Sequence, residues 1–153
     1  MKKLLIYLIS FFIFGCNFSS LVIAKELSTE VTTLINQYRL QQGLPKLTTK
    51  QIISNIAKVH SQNMAADEIP FGHAQAPSRV SYLKKYYKMT GFAENVAVVN
   101  DNNPQKIVSL WINSSNHRKN IEGDYNLTGV GVVRAKNSKI YVTQIFIRAT
   151  INS

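Results

Sequence analysis

The chain has 153 residues, of which 45% are apolar and 17% charged, and its formal net charge is +10 at pH 7. This composition excludes a disordered chain and is sufficient for one domain with a sizeable core. The basic residues are scattered apart from Lys84, Lys85 and Lys88, without zinc-finger spacing or a glycine-rich phosphate loop. The charge therefore favours solubility, or contact with anionic surfaces, over nucleic-acid binding.

The N-terminal residues have the pattern of an export signal. Met1-Lys2-Lys3 precedes the apolar stretch Leu4–Phe14, which is too short for a membrane-spanning helix of about 20 residues. In one interpretation the only cysteine, Cys16, becomes the lipidated first residue of a bacterial lipoprotein. In the other, Val22-Ile23-Ala24 supplies the small residues for ordinary signal peptidase.

We favour lipidation, which predicts a signal peptide at 1–15, a lipidated or flexible tether at 16–25 and a folded domain at 26–153. The protein is then a lipoprotein of the cell surface or outer membrane, and otherwise it is secreted or periplasmic. Neither interpretation leaves a cysteine in the folded domain, so its core must form without a disulfide.

The first half of the folded domain has helical patterns. Ser28 is predicted to cap a first helix that Gly43 ends. Thr48–Gln51 has the pattern of a capping box and opens a second helix. His60 follows Ile56 by one turn on or beside the apolar face, so we expect a packed histidine with a hydrogen-bond partner.

A loop and a third helix follow. The prolines and glycine of 67–77 predict a loop, and this loop carries His73. Ser78 is predicted to cap a third helix that runs to about Met89. Gly91 then breaks the chain ahead of a short buried segment.

A fourth helix is indicated by Asn103 as cap and Pro104 at the first helical position. Its apolar side chains are predicted to point inward, and Trp111 to belong to the core. These side chains are Ile107, Val108, Leu110 and Trp111.

The last third of the chain changes to the period of a strand. Thr128–Arg134 and Lys139–Ile147 are rich in β-branched and aromatic residues, so they are predicted to pair as an antiparallel hairpin. Gly129 and Gly131 fall on one face and would allow another element to approach closely. Gln144 is expected to be a buried hydrogen-bonding residue.

Glu94 stands alone as a carboxylate in the apolar and small-residue run Gly91–Val99. A carboxylate that loses its water needs a charge partner, hydrogen-bond donors or a metal. His73 upstream and His117 downstream are the candidates. The alternative is that Glu94 caps a turn and both histidines are ordinary surface residues.

Several short motifs occur together in one order along the chain. They are Asn36-x-x-Arg39, Ala57-x-x-His60-Ser61-x-x-Met64-Ala65, Phe71-x-His73, Arg79, Ala93-Glu94-Asn95-x-Ala97, Trp111-x-x-Ser114-x-x-His117-Arg118-x-Asn120-Ile121, Gly129-Val-Gly131 and Tyr141-x-Thr143-Gln144-x-Phe146. In combination they resemble the CAP superfamily (cysteine-rich secretory proteins, antigen 5, pathogenesis-related 1) in its compact bacterial form. The resemblance covers roughly 26–148, and it implies an α+β fold, a three-layer α-β-α sandwich with a small central antiparallel sheet.

The resemblance also implies a cleft with two histidines and two glutamates in which a divalent cation, often zinc, can bind. His73 matches the first histidine and Glu94 one glutamate. Ser114 stands in place of the second glutamate and Tyr141 in place of the second histidine. His117 belongs to the bacterial Ser-x-x-His-Arg motif, and with His73 and Glu94 it would complete three metal ligands.

These features predict an exported, surface-anchored binding protein without dedicated catalysis. Its ligand would be a divalent cation, a lipid, a glycan or an envelope or host partner. It would reach the membrane through the lipid anchor, and we expect a monomer. A metal-dependent hydrolase and a structural envelope protein with a vestigial site remain as alternatives.

Overall fold

The structure is a computed structural model that describes residues 12–150, with side chains from Val22 onward. It has five helices, α1 (Phe12–Gln41), α2 (Gln51–Ala65), α3 (Ala76–Leu83), α4 (Pro104–Asn113) and α5 (Ser115–Glu122). Its four strands are β1 (Thr48–Thr49), β2 (Lys88–Val99), β3 (Leu127–Arg134) and β4 (Ile140–Thr150). The signal peptide predicted at 1–15 lies largely outside the described residues, and so does the side chain of Cys16.

None of the helices in the described part of the chain combines the length and the apolar character needed to cross a membrane.

The four strands form one sheet in the order β1-β3-β4-β2. The hairpin predicted for the last third is confirmed, because β3 and β4 pair antiparallel, and β2 pairs antiparallel with β4 on the other side. The expectation of an antiparallel sheet needs one correction. β1 runs parallel to β3, with Thr48 opposite Leu127 and Thr49 opposite Thr128, so the sheet is mixed.

Alternation along the strands gives the sheet two apolar faces, and helices cover both. One face packs against α1, α4 and α5, where Ile35, Trp111 and Ile121 are buried with sheet residues such as Phe146. The other face packs against α2, where Ile53 lies in a smaller cluster with residues of β3 and β4. The predicted α+β three-layer sandwich is therefore confirmed.

Helix α2 lies directly on β3. A Cβ atom at Gly129 would overlap the backbone of Ser54, and one at Gly131 would overlap the backbone of Lys58. The close approach predicted from these two glycines is confirmed, and it fixes the position of α2 over the sheet.

The first helix begins earlier than predicted. Ser28 lies inside α1 rather than at its start, and its Oγ donates to the carbonyl of Lys25. No glycine or proline interrupts the chain between Cys16 and Ser28, so helical backbone continues through the segment predicted as a tether. The predicted end is confirmed, because Gly43 has a φ of +73° and closes the helix.

The predicted capping box at Thr48–Gln51 is wrong. Thr48 and Thr49 form β1, since the amide of Thr48 donates to Asn126 and the amide of Lys50 donates to Thr128. Helix α2 begins only at Gln51, without a side-chain cap. The backbone of the two threonines pairs with the sheet, and this pairing overrides the local capping pattern.

The third helix also differs from its prediction. It begins at Ala76 with Pro77 in its first turn, so Ser78 is not its cap, and it ends at Leu83. Met89 lies in β2, paired with Ala149, because the sheet extends to Lys88. The helical pattern of the sequence does not anticipate this pairing with a strand 60 residues away.

Helix α4 starts as predicted. Asn103 accepts a hydrogen bond from the amide of Lys106, and Pro104 occupies the first turn. Trp111 is buried, as expected of a core residue. Leu110 is the exception, because 49% of it is exposed.

Candidate functional site

Glu94 lies on the edge strand β2, opposite Ile145 of β4. Only 3% of its side chain is exposed. Since side chains alternate along a strand, Glu94 and Asn95 point to opposite faces, and the contacts below place Glu94 on the α2 side. A carboxylate this deeply buried must be compensated by the chain.

Arg79 of α3 supplies that compensation. Its Nε donates to Oε2 of Glu94 at 2.8 Å, and its Nη2 donates to Oε1 at 2.8 Å. The two parallel hydrogen bonds form a bidentate pair, the strongest arrangement of guanidinium and carboxylate. Arg79 was part of the family motif but had no predicted role. Its spacing of four residues from the buried Leu83 was the signal that it faces inward.

His73 is brought to Glu94, as predicted. Its Nδ1 lies 2.9 Å from Oε1 of Glu94, and 52% of its side chain is exposed. A carboxylate held by a guanidinium only accepts, so Nδ1 carries the proton and donates. The ring therefore points its other nitrogen away from the carboxylate, and half of the ring is open to solvent.

His60 of α2 completes the network. Its Nδ1 lies 3.0 Å from Nη1 of Arg79, and its Nε2 lies 2.9 Å from the carbonyl of Gly72. Because arginine only donates, Nδ1 accepts and Nε2 donates, which fixes a neutral ring. Burial lowers the pKa of His60, so the ring stays neutral near pH 7. The prediction of a packed, hydrogen-bonded histidine is confirmed.

His117 approaches from the other face of β2. Its carbonyl accepts a hydrogen bond from the side chain of Asn95, and Asn120 donates to the side chain of Asn95 and to the carbonyl of Glu94. The ring atom Nδ1 of His117 is buried without a hydrogen-bond partner among the described residues. Burial lowers the pKa of His117, and the nearby charge of His73 lowers it further.

Ser114 and Tyr141 occupy different surroundings. Ser114 is the residue between α4 and α5, and its carbonyl accepts from the amide of Arg118. The ring of Tyr141 packs against Phe71, two residues before His73, with centroids 6.4 Å apart. Tyr141 thus contacts the loop that carries His73. Ser114 makes no side-chain hydrogen bond within the part of the chain that the structure describes.

The potential metal-ligand atoms at Glu94 do not fit a divalent cation. Both carboxylate oxygens already accept from a fixed guanidinium, and a cation using them would have to lie beside that positive charge or displace it. Across residues 12–150, no group of three or more His, Cys, Asp and Glu side chains is placed to hold a metal ion. His73, Glu94 and His117 are therefore not arranged as a ligand set in the described part of the chain, and metal analysis of the purified protein tests the zinc site that the resemblance implied.

A groove of about 670 Å³ opens next to this network, between α2 and α3. His60 and Arg79 line it with their buried side chains, and the same two residues lie 3.6 and 2.8 Å from Oε1 of Glu94, so they connect the groove with the carboxylate. Sequence patterns did not reveal the groove, because it depends on how α3 sits relative to α2.

The sheet is covered by helices on both faces, which defines a compact α-β-α sandwich domain of the kind the motifs indicated. Its edge strand carries a buried glutamate beside a half-exposed histidine. The sequence model of the cysteine-rich secretory protein family, CAP, matches residues 32–146. The chain belongs to this family, and its domain is of the bacterial type.

Its relatives include the uncharacterized protein YkwD of Bacillus subtilis (strain 168), which is 36% identical over 121 residues. That alignment covers 75% of this chain and 45% of YkwD, so the chain spans less than half of this relative.

Solved structures show the same fold. An extracellular protein containing an SCP domain from Bacillus anthracis is 26% identical with a TM-score of 0.70, over 82% of this chain and 41% of that one. An outer surface protein of Borrelia burgdorferi has a TM-score of 0.72 at 16% identity, over 83% and 96% of the two chains.

Proposed function

We propose that the protein is an exported CAP-domain binding module whose ligand sits in or beside the cleft of His73 and Glu94, without catalysis. Export is supported by the leader pattern of the sequence. It is supported also by similar proteins that are described as extracellular in Bacillus anthracis and as an outer surface protein in Borrelia burgdorferi. Anchoring through Cys16 belongs to the same proposal.

The observation that carries the proposal is the bidentate pair of Arg79 and Glu94. General acid–base chemistry needs a group that exchanges a proton with its substrate. Both oxygens of Glu94 are instead engaged by a permanent cation within a buried site. Glu94 therefore serves to orient the exposed ring of His73, which is a role suited to recognition.

The test measures metal content and binding for the wild type and His73→Ala. Purified protein is analysed for metal and then mixed with sacculi from the producing bacterium. We expect no stoichiometric metal in either protein, and weaker retention of His73→Ala on sacculi. Because the ring of His73 is half exposed, the melting temperature should change little.

Two results would contradict this proposal. One equivalent of zinc in the wild type, lost in His73→Ala together with a chelator-sensitive hydrolytic activity, would establish the metal-dependent hydrolase. Equal retention of both proteins would show that His73 takes no part in binding and that its cleft is vestigial.

A further inference from the structure

The groove between α2 and α3 exists because α3 does not pack closely against α2. Two buried residues hold α3 in place, Arg79 through its ion pair with Glu94 and Leu83 in the smaller apolar cluster. The space left between the helices is about 670 Å³. Ligand pockets are typically about 300–1,000 Å³, so the groove has the size of a binding site.

The apolar part of the lining forms a stripe along α2. Ile52, Ile56 and Val59 follow one another at helical spacing, and 54% of Val59 is exposed. Tyr82 of α3 faces the groove from the other wall. The groove therefore has a stripe of aliphatic side chains on its α2 wall and an aromatic ring on its α3 wall.

The polar part of the lining consists of carboxamides and a hydroxyl. Gln51, Asn55 and Asn63 come from α2, and Gln75 and Ser78 come from the start of α3. A carboxamide both donates and accepts hydrogen bonds. The groove therefore offers both kinds of partner beside its apolar stripe.

The lining has almost no charge to offer a ligand. Arg79 is the only formally charged side chain among the described residues that line the groove, and Glu94 neutralises it. His60 accepts from Arg79 and stays neutral. The ammonium of Lys85 lies outside this lining, with its Nζ 5.5 Å from the centre of the Tyr82 ring. Among the described residues that line the groove itself no counter-charge is free, so the part of the ligand that lies against them is uncharged, since an ionic group there would lose its water without compensation.

We infer that this groove binds a neutral N-acetylated glycan strand, an inference that rests on the proposed binding function. Each such sugar combines an apolar ring face with hydroxyls and an acetamido group, which matches a stripe of apolar side chains flanked by carboxamides. An acyl chain would leave the carboxamides unpaired. A helical peptide needs a continuous apolar groove, and a peptide that adds a strand needs a free sheet edge, whereas both walls here are helices and carboxamides interrupt the apolar lining.

The test is calorimetric titration of purified protein with chitotetraose, the β-1,4-linked tetramer of N-acetylglucosamine. Cellotetraose, which carries a hydroxyl where chitotetraose carries each acetamido group, serves as the matched ligand. We expect one chitotetraose per protein, and affinity for cellotetraose weaker by about tenfold or more, as for the loss of two or more hydrogen bonds.

Protein variants locate the site. Val59→Glu places a charge in the apolar stripe at an exposed position and should abolish chitotetraose binding, and Tyr82→Ala should weaken it by about tenfold. Leu110→Glu makes the same kind of change at an exposed leucine on α4 and should leave binding unaltered. Thermal melts confirm that each variant is folded.

The outcomes separate this inference from the proposed function. Absence of chitotetraose binding overturns the glycan inference, while weaker retention of His73→Ala than of the wild type on sacculi, which carry peptides as well as glycan, still supports the proposed function. Binding that Val59→Glu leaves intact and His73→Ala abolishes places the ligand in the cleft, which overturns the groove but keeps the binding function. Equal affinity for cellotetraose overturns the role of the acetamido group, and tighter binding of the uncharged acyl-chain probe decanol or of a blocked neutral peptide overturns the ligand class.

Discussion

Glu94 and Arg79 are each buried, and each is compensated mainly by the other. Such a pair contributes little net stability over an apolar replacement, since desolvation offsets much of the attraction. Removing one partner is different, because the remaining charge stays buried without compensation. The network therefore makes single substitutions costly and couples the two residues energetically.

Glu94→Ala and Arg79→Ala are each expected to lower the free energy of unfolding by about 3–5 kcal/mol. Glu94→Gln should cost less than Glu94→Ala, because the amide oxygen still accepts from the guanidinium. The double variant should lose clearly less than the sum of the single losses. Urea denaturation of the wild type, the two single alanine variants and the double variant measures the coupling.

The exposed pair of Arg148 and Asp124 provides the matched control, with a distance of 3.0 Å. Asp124→Ala should change the denaturation midpoint little, since solvent screens a surface pair. Additive losses at Glu94 and Arg79 would contradict the ion pair described here.

His60 gives the protein a pH dependence. Burial lowers its pKa in the folded state, so the unfolded chain binds a proton at a higher pH than the folded one. The stability contribution of the neutral ring is fully present above the unfolded pKa of about 6.5 and is lost as the pH falls below it. The pKa of His117 is lowered in the same way, so both residues act in one direction.

We therefore expect the melting temperature to fall between about pH 7.5 and about pH 5, and His60→Gln to remove part of this slope. His117→Gln should remove another part. Calorimetric melts across this range measure the slopes, and identical slopes in all three proteins would rule out these two histidines as its source.

At the scale of the element, α4 shows how a helix places one residue in the core and its neighbour in solvent. Trp111 is buried, and its Nε1 donates to the carbonyl of Val96 at 3.1 Å. Leu110 precedes it by one position, about 100° around the helix, and is 49% exposed. The two residues therefore form a matched pair for measuring what burial contributes.

Trp111→Ala is expected to destabilise the domain by about 3–5 kcal/mol, because it leaves a cavity and an unpaired carbonyl on the edge strand. Leu110→Ala should stay within about 0.5 kcal/mol of the wild type. Chemical denaturation measures both. A loss below about 1 kcal/mol for Trp111→Ala would mean that the ring does not belong to the core.

At the scale of the molecule, side chains of α4 and α5 cover the open edge of the sheet. Trp111 and Asn120 donate to the outward carbonyls of Val96 and Glu94 on β2. A covered edge opposes pairing with a second copy through β2. This arrangement is in keeping with the predicted monomer, which sedimentation can test.

Lipidation of Cys16 is the predicted means by which the whole molecule attaches to a membrane. If Cys16 is lipidated, Cys16→Ser should move the protein from the membrane fraction to the soluble fraction, since the acyl chains supply the anchoring. Ala24→Arg disrupts the competing cleavage site and should leave partitioning unchanged. Fractionation followed by immunoblotting measures both variants, and unchanged partitioning of Cys16→Ser would exclude the lipoprotein interpretation.

Much of the architecture could be predicted from local sequence. Gly43 as a helix end, Asn103 with Pro104 as a helix start, and the glycine pair under α2 each follow from backbone chemistry that acts within a few residues. The burial of Glu94 was predictable in the same way, from the apolar run around it. The motif order was sufficient to indicate the family.

Other features were decided only by tertiary contacts. Thr48 and Thr49 form a strand because they pair with β3. Met89 lies in β2 rather than in the third helix because it pairs with Ala149 of β4. The sequence indicated that Glu94 needs a charge partner, hydrogen-bond donors or a metal, and the two histidines were its candidates. In the fold His73 is one partner and Arg79 is the other, because packing of Leu83 turns the inner face of α3 toward β2. Local patterns specify what a residue needs, and the three-dimensional path of the chain specifies which distant residue supplies it.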